Sequence, residues 1–215
     1  MKRHFVENIR RNYDRLAADY SAHIFEELRN KPVDQELLTR FAKDTRGNGE
    51  VCDMACGPGH IARFLHQAQV SVFGLDLSSK MVEEARRLSP SIPFRLGDML
   101  ALDLPDQSLA GIATMYGIVN LPSDSLPTAF REMWRVLKPG GLLLMSFHIG
   151  DQEVAVPELW GNPVTMPFYF LDPAKIRRML EETGFDIEET VERDPYPDIE
   201  FQSRRAYVFA RKPLA

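Results

Sequence analysis

The sequence predicts an α/β protein built on a doubly wound, mostly parallel sheet of seven strands that ends in an antiparallel hairpin. Three observations carry this. From Glu50 onward, short β-rich runs alternate with stretches of helical spacing, the order that produces parallel strands joined by crossover helices. Helix caps and stops stand at matching offsets: Ser78 or Ser79 before one helix, Asp172-Pro173 before another, Pro139-Gly140-Gly141 and Gly184 behind two. The last two β-rich runs are joined by the polar, proline-bearing residues 192–204, too irregular for a crossover helix, so they pair antiparallel.

The elements follow in order. Val6, Ile9, Tyr13, Leu16 and Tyr20 recur at three- and four-residue spacings, the signature of an amphipathic helix. Leu37, Leu38 and Phe41 mark a second short helix after Pro32, and Arg46-Gly47-Asn48-Gly49 is a break. Strands are expected at 51–54, 70–75, 92–96, 109–115, 142–147, 185–191 and 205–210, with helices at 61–67, 79–88, 126–137 and about 173–183. Two long connections stand apart. Residues 148–171 hold Trp160, Phe168, Tyr169 and Phe170, and residues 192–204 hold Asp194-Pro195-Tyr196-Pro197-Asp198. Both follow strand ends on one rim, where open α/β sheets bind ligands.

Composition narrows the function classes. The 215 residues fit one generous domain, and 26 basic against 31 acidic side chains leave a net charge of −5. That opposes a protein whose main task is gripping a phosphate backbone. Apolar runs are strand-sized, far short of the ~18 residues a membrane span needs. The basic N-terminus lacks a following apolar stretch. The expectation is a cytoplasmic protein with no membrane partner, no structural disulfide and no metal. Cys52 and Cys56 are two small residues in a strand and turn, and the histidines show no ligand-like spacing.

The chemistry concentrates at strand tips. In Val51-Cys52-Asp53-Met54-Ala55-Cys56-Gly57-Pro58-Gly59-His60 a strand runs into a tight glycine turn and then a helix, where backbone can approach a ligand and free N–H groups are presented. Gly57-x-Gly59-x-x-Ala62 alone also satisfies a loose dinucleotide fingerprint. Asp53 changes the balance, because a carboxylate there suits an amino-bearing or cationic ligand better than a pyrophosphate. Asp76 ends the second strand, suited to ribose hydroxyls. Asp98 follows the third, suited to an exocyclic amine. Three acids at successive tips describe a nucleoside with an amino-bearing tail.

These pieces, with Gly74-Leu75-Asp76-Leu77-Ser78, Gly97-Asp98-Met99 and Arg131-Glu132-Met133-Trp134-Arg135-Val136-Leu137-Lys138-Pro139-Gly140-Gly141, stand in the order and spacing of the class I S-adenosylmethionine-dependent methyltransferases. The sequence resembles that family over roughly residues 50–147. The resemblance implies a Rossmann-like cofactor core at 50–147, a helical lid at 1–46, and an acceptor loop, last helix and C-terminal hairpin at 148–215. It implies S-adenosylmethionine as cofactor, with the Gly57/Gly59 loop beside its methionine part, Asp76 on the ribose, and Asp98 with Met99 at the adenine. Asp53, Ala55, Cys56, Leu77, Met81 and Tyr116 complete the implied cofactor set, with Tyr13 and Tyr20 on the lid. Two departures stand out: Ala55 where many members carry glycine, and Leu109-Ala110-Gly111 where relatives often carry Phe-Asp.

The acceptor side is read from position alone. His148 follows the fifth strand and is a candidate base or acceptor-orienting group, or a packing residue of the loop. Tyr20 is a second catalytic candidate, and with Tyr13 it either covers the cofactor or covers core surface. Asn120 is an acceptor ligand or a helix-entry cap. Trp160 and Tyr169 either build an apolar acceptor pocket or cover the sheet edge. Arg204 and Arg205 point to opposite faces; Arg204 is the candidate for an anionic acceptor group, against a surface ion pair.

The expected reaction is in-line methyl transfer to a small-molecule acceptor, where positioning supplies most of the acceleration. Negative charge, no nucleic-acid module and no Asn-Pro-Pro-Tyr-type segment favour a small molecule and disfavour nucleic acid. The alternatives are an RNA or protein methyltransferase, a cofactor-binding module without transfer, and a nicotinamide oxidoreductase. Oligomeric state, monomer or homodimer, is open.

Overall fold

The computed structural model describes residues 2–214. Seven strands form one sheet: β1 (Glu50–Met54), β2 (Val72–Asp76), β3 (Phe94–Leu96), β4 (Leu109–Met115), β5 (Leu137–His148), β6 (Asp186–Arg193) and β7 (Arg205–Arg211). Their order across the sheet is β6-β7-β5-β4-β1-β2-β3. β1 to β5 pair in parallel, whereas β7 lies antiparallel to both β5 and β6. The chain therefore begins in mid-sheet and winds outward both ways. The point where it reverses, between β1 and β4, is where such sheets open a ligand crevice.

Helices cover both faces. α2 (Pro32–Thr45), α3 (His60–Gln67) and α4 (Ser79–Leu88) bury Phe41, Leu65 and Ala85 against one face. α5 (Leu126–Val136) and α6 (Pro173–Thr183) bury Phe130, Met133 and Leu180 against the other. Each large apolar side chain so covered contributes about 1.5–3 kcal/mol. Ser78 accepts from the Met81 N–H and Asp172 from the Ala174 N–H, as the caps predict. α1 (Lys2–Ile24) lies outside this frame, packing Ile9 and Leu16 against Val164 and Met166.

Two expectations change. β5 begins at Leu137 rather than 142, because Pro139-Gly140-Gly141 bulges without leaving the sheet: the Gly140 N–H donates to the Lys212 carbonyl and the Lys212 N–H to Gly141. The connection 148–171 contains two short antiparallel pairs, residues 153–154 with 168–169 and 158–159 with 162–163. Two-residue strands are too short for alternation to show in sequence. No helix among the described residues is long and apolar enough to cross a membrane.

Candidate active site

Above the strand ends lies a cavity of about 640 Å³. Its lining extends from Gly97, Asp98 and Met99, after β3, to Glu200 and Arg205, before and on β7. Between β3 and β7 lie five strand spacings of about 4.8 Å each, roughly 24 Å. That is a cleft with two compartments.

The first compartment sits over β1 to β3. The strand-to-helix turn leaves Ala55 and Gly57 on its wall. At Gly57, φ is 51°, and the nearest atom to a Cβ placed there is Tyr20 Cε1 at 3.7 Å, so glycine keeps space open above the loop. Asp76 accepts the Gly57 N–H through Oδ2 and the Ser78 N–H through Oδ1, both at 2.8 Å. Burial nevertheless pushes its carboxyl up to about 6, against those hydrogen bonds. Leu77, Met81 and Met99 add apolar walls beside it. Asp98 accepts the Leu100 N–H at 2.9 Å through one oxygen.

Three predicted cofactor residues stand behind the wall. Asp53 is 1% exposed and accepts the Ala62 N–H at 2.8 Å, which ties β1 to the first turn of α3. Burial pushes it up to about 7. Cys56 faces the core, and Gly59, at φ 82°, caps α3; a Cβ on Gly59 would stand 2.6 Å from the Phe94 ring. These three shape the loop from beneath.

The second compartment sits over β4, β5 and β7. His148, at the end of β5, places Nδ1 2.7 Å from Ser203 Oγ. Its ring stacks on Phe170 and tilts against Tyr116, both at 5.1 Å. Burial, reinforced by the Arg205 charge, lowers its pKa to about 4. Tyr13 Oη donates to Asn120 Oδ1 at 2.8 Å, and Asn120 Nδ2 donates to the Pro167 carbonyl at 2.7 Å. Tyr20 and Trp160 meet edge to face at 5.6 Å. His148, Phe170, Tyr116, Tyr13, Asn120, Tyr20 and Trp160 all line the cavity. Burial holds the Tyr13 and Tyr20 phenols well above their ordinary range.

Two acceptor candidates lie elsewhere. Arg204 is exposed and pairs with Glu192 at 3.1 Å and Asp194 at 3.4 Å. Arg205, directly opposite His148 in the β5–β7 register, is 2% exposed and lines the cavity instead. Tyr169 turns away while Phe168 and Phe170 face inward, as strand alternation requires. Sequence reasoning missed Glu27, Lys31 and Glu200, which line the same end. Lys31 Nζ reaches Glu27 at 2.6 Å and Glu200 at 3.4 Å. Only the Glu27–Lys31 spacing, one helical turn, was a visible signal.

The donor set suits an adenosyl amino acid. Asp76 and Asp98 put carboxylate acceptors on the wall, of the kind that hydroxyls and an amine need, the Gly57 loop leaves open space, and methionine and leucine side chains line the same compartment. Among the described residues no group of three or more metal-ligating side chains converges.

Comparisons agree with this geometry. Residues 51–141 match the family described as a methyltransferase domain. A malonyl-[acyl-carrier protein] O-methyltransferase of Enterobacter lignolyticus is 30% identical over 69% of this chain and 56% of its own. A demethylmenaquinone methyltransferase of Symbiobacterium thermophilum is 32% identical over 65% of this chain and 55% of its own. The chain thus spans little more than half the length of these curated relatives. A crystal structure of an S-adenosylmethionine-dependent methyltransferase from Methanosarcina mazei shares the fold, with a TM-score of 0.70 at 17% identity over 77% of this chain and 93% of that one. Together, the sheet order, the Gly57 turn with Asp76 and Asp98, and these matches show that the chain belongs to the class I S-adenosylmethionine-dependent methyltransferases.

Proposed function

We propose that this protein transfers a methyl group from S-adenosylmethionine to a small-molecule acceptor held over β4, β5 and β7. The observation that supports it most is the single cavity lined both by Asp76 and Asp98 and by His148. In this reading residues 1–46 are a lid, 50–147 the cofactor core, and 148–215 the acceptor-determining part.

When bound, the cofactor supplies an electrophilic methyl on a sulfonium and leaves as a neutral thioether. The chain's own residues do the rest. Asp76 and Asp98 anchor the nucleoside, and the Gly57 turn allows close approach of the tail. His148 is unprotonated at neutral pH and is the proposed base, taking the proton of an acceptor hydroxyl as the new bond to carbon forms. Ser203 fixes its ring through Nδ1. Tyr20 stays protonated, so its proposed part is to close the cavity over Gly57 and exclude water.

Calorimetry with S-adenosylhomocysteine tests the first half. Binding in the micromolar range is expected, lost in Asp76→Ala. His148→Gln is expected to bind the nucleoside as the wild type does, yet to lose at least a hundredfold in label transfer to hydroxyl acceptors. Absence of binding heat in the wild type would falsify the proposal.

A further inference from the structure

We infer that the acceptor is an uncharged molecule with a flat, hydroxyl-bearing ring and an apolar extension that leaves the chamber between Trp160 and the Ile199–Phe201 turn. This rests on the proposed methyl transfer in the same cavity. Four observations carry it.

The charges at the acceptor end are already matched. Lys31 is bound by Glu27 and Glu200, and Arg205 Nε lies 3.2 Å from Glu200. Arg205 is held by three hydrogen bonds besides: Nε also donates to Tyr116 Oη at 3.1 Å, Nη2 donates to the Phe201 carbonyl at 2.6 Å, and Nη1 to the Ser203 carbonyl. A charged acceptor would have to break one of these buried pairs, which leaves the abandoned partner unpaired and is strongly unfavourable. One further carboxylate, Asp198, stands on the exposed rim.

The walls of the chamber are flat and aromatic. His148 lies nearly parallel to Phe170, 20° apart, while Phe201 meets both edge-on at 6.0 Å. A planar ring is the shape such walls receive. The neutral imidazole within them is placed for a hydroxyl.

The mouth is apolar, which solvent alone does not explain. Trp160 is 36% exposed, Ile199 47% and Phe201 55%, and all three line this cavity. The other exposed large hydrophobic side chains among the described residues, Leu96, Trp134 and Leu214, lie outside it. Exposed apolar side chains scattered singly are ordinary, whereas a cluster rimming a cavity marks a binding surface. Val154, Val156 and Leu159 add further apolar side chains to the same lining, which a ligand confined to the inner chamber would leave to water.

The experiment is calorimetric titration with phenol and 4-methyl-, 4-propyl-, 4-pentyl- and 4-heptylphenol, in protein first saturated with S-adenosylhomocysteine. Affinity should rise up to about fourfold per added methylene, the value for full burial, and at least tenfold from propyl to heptyl. Ile199→Ser should leave phenol binding unchanged and weaken 4-heptylphenol at least threefold, and Ile199→Ser/Phe201→Ser should flatten the long-chain series. 4-Heptylbenzoate and heptyltrimethylammonium should bind at least tenfold more weakly than 4-heptylphenol. A series flat in the wild type, a long-chain gain that survives the double substitution, or a charged analogue binding as well as the phenol overturns the inference. The saturation step separates the two ideas, since loss of nucleoside binding counts against the methyltransferase reading and not against the acceptor class.

Discussion

Asp76 shows how much one side chain is asked to do. It ends β2, faces the cavity, and holds the Gly57 and Ser78 N–H groups, and the proposed function asks its remaining lone pairs to hold the nucleoside. Burial raises its pKa to about 6, so in the native protein it is protonated well above the ordinary carboxylate range. The sign follows: between about pH 4 and pH 6 the native state holds more protons than the unfolded chain, so this group's contribution to stability falls as pH rises. A ligand that needs the carboxylate reverses the preference. S-adenosylhomocysteine affinity is therefore expected to weaken as pH drops through about 6, approaching tenfold per unit below it, and Asp76→Asn should bind weakly with a flat profile. Calorimetry at pH 5 and 7.5 decides; equal affinities reject this role. His148, with its lowered pKa, does not limit this acid range. Residue identity at the strand tips was legible because the chemistry is local to a turn. The choice between Arg204 and Arg205 was not: alternation puts them on opposite faces, but only the pairing of Arg205 with His148 across β5 and β7 decides which one turns inward.

Among the elements, α1 is the one whose position the sequence left open. Its apolar spacing predicts a helix, and a helix it is, yet spacing does not say what it covers. Polar side chains do that. Asn12 accepts the Thr165 N–H at 3.0 Å, Asn162 donates to Asp19 at 2.8 Å, and His23 stacks on Trp160 at 4.7 Å. On its other side Asp14 Oδ1 accepts the Ser78 hydroxyl at 2.7 Å, an added charge at the start of α4. The helix thus joins the acceptor connection to the cofactor side. Asp14→Ala is expected to speed S-adenosylhomocysteine release about 5- to 10-fold, the equivalent of one ordinary hydrogen bond of about 1–1.4 kcal/mol. Stopped-flow displacement measures it, and an unaltered release rate removes Asp14 from the lid. The short pairings in 148–171 were illegible because two residues are too few for alternation to show, and the contacts of the segment with α1 are long-range ones.

Over the whole molecule, a buried ionic network ties segments far apart in sequence. Arg193 on β6 bonds Asp34 on α2 at 2.9 Å and Tyr207 on β7 at 2.9 Å, and it pairs with Glu200 in the loop between β6 and β7. Removing the cation alone strands the buried Asp34 carboxylate, while Glu200 keeps Lys31 and Arg205. Arg193→Met is expected to cost about 3–5 kcal/mol in urea unfolding, and adding Asp34→Asn should recover a substantial part. A loss below about 1 kcal/mol would show that the network is only decorative. This network explains why one half of the molecule could be read and the other could not. The compartment proposed for the cofactor is a run of local turns within 50–100, each with its own acid or glycine. The compartment proposed for the acceptor is assembled from α1, α2, the 148–171 segment and the β6–β7 loop, whose meeting depends on the completed fold.

The strand order carries one more consequence. A sheet exposes its hydrogen-bonding groups at two margins, here β3 and β6, and a long flat margin would recruit strands from other chains. β3 is only three residues long and carries Arg95 at its centre. β6 is longer but bears Asp186, Glu188, Glu189, Glu192 and Arg193. One margin is blunted by brevity and the other by charge. Three of those four acids are held by arginines outside the strand, Glu188 by Arg211, Glu189 by Arg40 and Glu192 by Arg204, so a strand added at this margin would have to displace ion pairs first.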